Sequence, residues 1–175
     1  MIGNKLPPPN EIQPDRIKMR SLADCPLQVL VTNRLQVANI LDRIIAELGQ
    51  SEIWQTTFSI SEEFLRHMFL IKQRGKISAA HVIIDHKASV KTLKLWNFIS
   101  AAYDSAWLSD NHSKILLVKS KDGRKVSVVT SQNLTRGNRY ESTVIMTDED
   151  IFDQLLSSFN LLTTHSLSLD DILRR

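Results

Sequence analysis

A single cysteine, Cys25, excludes an intramolecular disulfide framework and leaves too few thiols for a zinc site, as expected in a reducing compartment. No run approaches the roughly 18 to 20 apolar residues that a spanning helix needs. The stretch Met1 to Arg20 is polar and proline-rich, without the apolar centre of an export signal. These absences together read as an intracellular, cytoplasmic protein with no membrane span. No cluster of metal-ligating residues stands out, and neither a metal nor a cofactor is expected. What is present is ordinary for a folded domain: 42% hydrophobic and 23% charged residues in 175, enough for one sizeable core.

The net charge is only +3, but it is unevenly spread. From His112 to Glu141 seven cations face two acids, whereas from Ser142 to Arg175 six acids face two arginines. A clustered basic segment attracts a polyanion such as a nucleic acid or a phospholipid surface. Two solvated strands with Lys and Arg outward would give the same pattern.

Along the chain, residues 1–24, with Pro7, Pro8, Pro9 and Pro14, read as an extended arm. A domain is expected over 25–162 and a short polar tail over 163–175. Three strand-then-helix pairs open the domain. Gln28 to Val31 precedes a helical stripe ending at Gly49, and Ile53 to Ile60 precedes Ser61 and a stripe ending at Gly75. Ile77 to Ile84 precedes a stripe within Lys87 to Ser100. Such units argue for parallel strands covered by helices. The pattern then turns strand-rich, through Ala101–Leu108, Lys114–Ser120, Lys125–Thr130 and Ser142–Met146, with Asp122-Gly123 as a hairpin signal. A helix from Ile151 to Leu162, with Thr147 and Asp150 as a capping box, closes the domain. The expected class is α/β, a mixed sheet flanked by helices.

The chemistry concentrates in Asn111-His112-Ser113-Lys114, a hydrophobic strand, a turn, a second hydrophobic strand, Ser131-Gln132-Asn133-Leu134-Thr135, and then Glu141. On a strand His112 and Lys114 would share a face, pairing a nucleophile with a cation. Asn133 follows His112 by 21 residues, and a hairpin closing at Asp122-Gly123 would bring it back beside the histidine. His67, His81, His86 and His165 lack such company, and Trp54, Trp96 and Trp107 read as core rather than as stacking platforms. Asp85-His86-Lys87 reads as a strand end, and Cys25 has no visible base partner.

His-x-Lys, strand, turn, strand and Ser-x-Asn-Leu-Thr resemble the signature of the phospholipase D superfamily, at His112, Lys114, Ser131 and Asn133. Outside the motif, the likeness over residues 29 to 159 is one of pattern. The resemblance implies a phospholipase D-like fold and a metal-independent phosphodiesterase. In it His112 would attack phosphorus, Lys114 and Asn133 would hold the non-bridging oxygens, and Glu141 would orient the imidazole. Ser131, Lys119, Arg136 and Arg139 would bind substrate. The family's Asp five residues after the Lys is Lys119 here. DNA-acting branches, including the tyrosyl-DNA phosphodiesterases and a metal-independent restriction endonuclease, also lack that Asp. Thr130 stands where many members have Gly.

The family's second histidine comes from another copy of the motif, and no second copy occurs in this chain. A complete site would therefore need two chains, which implies a homodimer. The expected function is a nuclease or DNA-processing phosphodiesterase. The alternatives are a catalytically silent DNA-binding or assembly module, and a phospholipid-acting enzyme for which no acyl-binding apolar run speaks.

Overall fold

In the computed structural model, residues 18–88 and 93–173 are described. Most of the expected proline-rich arm lies outside them. Its last residues do not extend into solvent, because Met19 and Leu22 are buried in the core.

The strands are β1 (Leu27–Thr32), β2 (Ser51–Thr57), β3 (Ile77–Asp85), β4 (Ser105–Ser109), β5 (Ile115–Ser120), β6 (Lys125–Thr130), β7 (Glu141–Met146) and β8 (Leu167–Ser168). The helices are α1 (Val37–Leu48), α2 (Glu62–Gln73), α3 (Trp96–Ala102), α4 (Glu149–Thr164) and α5 (Leu169–Leu173). One mixed sheet runs in the order β1-β7-β6-β5-β2-β3-β4-β8. Strands β2, β3 and β4 are parallel, as the repeated strand-helix units require. The first unit departs from that pattern: β1 pairs antiparallel with β7 at the far edge, four places from β2. Strands β5, β6 and β7 form an antiparallel meander that fills the gap.

Local chemistry sets the ends of these elements. Gly49 ends α1 at φ 80°, a conformation that costs a side-chain-bearing residue strain. Gly123 at φ 93° closes the β5–β6 hairpin beside Asp122. Ser61 caps α2 by accepting a bond from the Phe64 amide. Helix α4 is capped by Asp148, which accepts from the Ile151 amide at 2.9 Å, rather than by the expected Thr147–Asp150 box. The third helical stripe resolves into a single 3₁₀ turn at 86–88 and the short α3; residues 89–92 between them lie outside the described residues. Helix α3 also takes up Ala101 and Ala102, so β4 starts at Ser105 instead of Ala101.

Two cores hold the layers together. On one face, alternate residues such as Ile53, Val82, Leu116 and Val128 bury against α1, α2 and α3. On the other, Trp54, Ile83 and Leu117 meet Phe152 and Phe159 of α4. That second core is smaller because, among the described residues, α4 is the principal helix on its side and does not reach the β1 end of the sheet. Leu27, Val29 and Val31 on β1 are 60%, 67% and 60% exposed.

The segment expected as a polar tail belongs to the fold. Helix α4 continues to Thr164, β8 pairs antiparallel with β4, and Leu169 is fully buried in the larger core. Polar composition concealed this, because the anchoring leucine lies among mostly polar residues without a sustained apolar period. Leu169→Ala is therefore expected to lower stability by about 2–5 kcal/mol, the range for emptying a buried leucine site. Urea denaturation checks it, and a change near zero would mean that this end of the chain does not dock.

Candidate active site

The parallel strands end, and β5 and β7 begin, at the same edge of the sheet. Asp85, at the end of β3, is 2% exposed, and its two oxygens accept from the amides of Lys87 at 2.7 Å and Asn111 at 3.2 Å. A carboxylate buried in this way needs such donors. It ties the loop before β5 to the end of β3. Asn111 is itself buried, and its Oδ1 accepts from the Ser113 amide and hydroxyl. Thr56 of β2 completes the clamp, lying 2.8 Å from the Ser113 hydroxyl and accepting from the Ile115 amide at 3.1 Å.

His112 is exposed on this clamped loop. Its ring lies 5.4 Å from the Phe58 ring. Lys114 Nζ donates to the His112 carbonyl at 2.8 Å and sits 3.3 Å from its Nδ1. The pairing of His112 with Lys114 foreseen in the sequence is thus present, but not through strand pleating. Residues 112–114 are loop, since β5 starts only at Ile115. Burial pushes the Lys114 ammonium below the usual lysine range, while the negative fields of Glu141 and Asp85 pull the other way. A cation that is partly desolvated and held near a histidine is suited to gripping a phosphate oxygen.

Asn133 does return to the site. Its Oδ1 accepts from the Phe58 amide at 3.2 Å and the Thr57 hydroxyl at 3.4 Å, so it reaches His112 through Phe58. The Nδ2 donors are not used in these bonds. Ser131 and Glu141 are also brought together: the Ser131 hydroxyl donates to the Glu141 carboxylate and accepts from the Ser142 amide. Glu141 therefore bonds to Ser131 instead of to the imidazole, whose Nδ1 faces Lys114. Thr130, in the place of the family's glycine, bonds to the Ser142 carbonyl and the Thr143 hydroxyl, zipping β6 to β7.

Other sequence candidates lie elsewhere. Lys119 pairs in register with Glu52 and Lys125, four residues beyond Ile115 and roughly 13 Å down the strand. Arg136 is exposed and lies 3.5 Å from Glu63, and Arg139 is exposed in the same loop. The sequence places Asp85 at a strand end and Asn111 at the head of the motif but gives neither of them, nor Phe58, a role in the site. Their roles depend on β2 lying between β5 and β3, which no local pattern announces. Among the described residues, Asp85, His86 and Asp110 are a group able to gather round a cation, their ligand atoms within 4.8 Å of one another. Asp85 already spends both oxygens on backbone amides. Beyond Asn133 a cleft of about 600 Å³ opens between the starts of α1 and α2 and the 133–138 loop.

The Lys114 environment has a measurable consequence. Glu141→Gln removes one of the two negative charges that favour the ammonium, so Lys114 should lose its proton at a lower pH than in the parent protein, itself below an ordinary lysine. A ¹³C NMR titration of the lysine side chains reads this directly. A Lys114 titration indifferent to Glu141 would contradict the geometry.

Neither a protein-family model nor a curated protein sequence matches the chain. Solved structures do. The chain is similar to Nuc from Salmonella typhimurium, described as a phospholipase D family member, at TM-score 0.64 and 15% identity, over 81% of this chain and 96% of that one. NucT from Helicobacter pylori aligns at TM-score 0.63 and 13% identity, over 82% and 98%. TrmBL2, an archaeal chromatin protein whose structure shows a mode of DNA binding, aligns at TM-score 0.55 and 13% identity, over 81% and 53%. Among the described residues no helix is long and apolar enough to cross a membrane. The structural likeness, which spans nearly the whole of Nuc and NucT, means that this chain has the phospholipase D fold.

Proposed function

We propose that the protein is a metal-independent phosphodiesterase acting on nucleic acid, a nuclease or DNA-processing enzyme, whose nucleophile is His112. The observation that carries this reading is the cluster of exposed His112, half-buried Lys114 and Asn133 at one edge of the sheet, on a rigid clamp. With its ring proton on Nδ1 and Lys114 donating to the His112 carbonyl, His112 attacks phosphorus through Nε2, a P–N bond forms, and the bond from phosphorus to the leaving oxygen breaks. Lys114 and the Asn133 amide donate to the non-bridging oxygens, where charge accumulates. The leaving oxygen takes a proton from the partner subunit's His112. That imidazole then removes a proton from water, the hydroxide attacks phosphorus, and the P–N bond breaks to restore the enzyme. Arg136 and Arg139, exposed in the loop that follows Asn133, would supply attraction for the nucleic-acid backbone.

The reading requires two chains, and the bare face of β1 suits a second copy. Leu27, Val29 and Val31 form an aliphatic stripe on an edge strand, flanked by Val129 at 38% exposure. Such a surface is a liability unless covered. The stripe ends beside the site, because Thr32 pairs with Glu141 and Val31 with Ser142. Val29→Lys combined with Val31→Lys is expected to yield a monomer in sedimentation and to abolish cleavage, whereas a parent protein that is monomeric while active would overturn the two-chain site.

In excess EDTA the protein is expected to cut single-stranded or plasmid DNA, with loss of at least a thousandfold in His112→Ala, and to trap a phospho-adduct on His112 locatable by mass spectrometry. An adduct on another residue overturns the mechanism. A second reading, a silent DNA-binding module, draws on Lys119 and Thr130 in place of the family's Asp and Gly and on the likeness to the chromatin protein. Binding without cleavage in the same assay would favour it.

A further inference from the structure

Five side-chain amides line the cleft beyond Asn133: Asn33, Gln36, Asn39, Asn133 itself and Asn138. Gln36 is spent on the loop, its Nε2 donating to the Gly137 carbonyl at 3.0 Å and its Oε1 accepting from the Gly137 amide at 3.3 Å. Asn39 accepts from the Gln36 amide, which steadies the start of α1. Asn33 and Asn138 are less committed: among the described residues, the side chain of Asn33 reaches the Asn138 carbonyl at 3.5 Å. Every amide carries a donor and an acceptor side by side, the arrangement that meets the edge of a nucleobase.

The charges of the cleft point the same way. Arg34 and Arg136 are set against Glu63, which meets Arg136 at 3.5 Å, and Asp42, which meets His67 at 2.9 Å. This near balance differs from the +5 of the 112–141 segment and does not suit a string of phosphates. An acyl chain would find few apolar walls there. The volume, about 600 Å³, falls within the range of small-ligand sites. Asn133 belongs to both places: it lines the cleft, and its Oδ1 holds the Phe58 amide whose ring packs on His112.

We propose that this cleft is a nucleoside subsite that takes one unpaired nucleotide next to the scissile phosphate, and so directs the protein to single-stranded or locally opened nucleic acid. The inference rests on the phosphodiesterase reading for its placement beside the scissile bond. A base inside a duplex presents its edge to its partner and cannot enter a cleft walled by two helix ends and a loop. It must first leave the stack, which a single strand permits at least cost.

The test is equilibrium binding by fluorescence anisotropy, on the full chain carrying His112→Ala so that nothing is turned over. A labelled single-stranded oligodeoxynucleotide is expected to bind at least about tenfold more tightly than a closed hairpin duplex of the same length, a difference near 1.4 kcal/mol. Asn33→Ala with Asn138→Ala, both near the surface, should remove most of that preference by weakening the single strand alone. Thymidine monophosphate should displace the single strand, and glycerophosphocholine should not. Equal affinity for strand and hairpin, a double variant that binds like its parent, or displacement by glycerophosphocholine would each overturn the subsite. Turnover of bis(p-nitrophenyl) phosphate by the unmutated protein tests the phosphodiesterase reading separately. Its absence would remove that reading while the binding measurements still decide the cleft.

Discussion

The Asp85 carboxylate, buried at the end of β3, holds one strand end, the 3₁₀ turn that follows and the loop carrying His112 in a fixed relation. A carboxylate removed from water is costly unless its oxygens are met by donors, and here both are met by backbone amides. Hydrogen bonds to an ionised group contribute about 1.5–3 kcal/mol each, so the loop is not free to drift. Around it, Asn111, Ser113 and Thr56 form a continuous set of short polar contacts that extend the clamp to β2 and β5. His112 projects from a loop that is rigid on three sides. In the proposed reaction the nucleophile must be held within a fraction of an ångström of its line of attack, and this clamp would serve that need.

The second support comes from the opposite direction. Asn133 arrives from the end of β6 and fastens the backbone of Phe58 at the end of β2, and the Phe58 ring then bears on the imidazole. Ser131 and Glu141 close the β6–β7 side. Lys114 sits among these groups with its charge opposed by burial and favoured by Glu141 and Asp85. The site is a convergence of loop ends at one edge of a mixed sheet, and its parts come from β2, β3, β5, β6 and β7.

The sequence disclosed more of the elements than of their neighbours. The helical stripe of α1, the cap at Ser61, the hairpin at Asp122-Gly123 and the apolar run of β3 are local features, set by side-chain period, turn chemistry and capping. Each was legible within a window of some ten residues. The position of β1 was not. Its period-2 pattern is satisfied equally beside β2 or beside β7, and the choice is made by which edge remains once the meander has closed. The C-terminal segment reads as polar for a related reason: its few apolar residues are scattered among polar ones, and the burial of Leu169 is what shows that it anchors this end of the fold.

The same division runs through the site. By itself the sequence determined the chemical inventory: His112 next to Lys114, an amide at Asn133, an acid at Glu141, and a hairpin of the right length to bring the second group back to the first. The tertiary structure decided how those groups are used. It put His112 and Lys114 in a loop where a backbone carbonyl joins them, gave Glu141 to Ser131, placed Lys119 down the strand, and introduced Phe58, Asp85 and Asn111. The physical reason is that the identity of a side chain and its spacing along one hairpin are local properties. The partner of a buried carboxylate or a ring is set by which strands lie side by side, and that is fixed only when distant segments share one core.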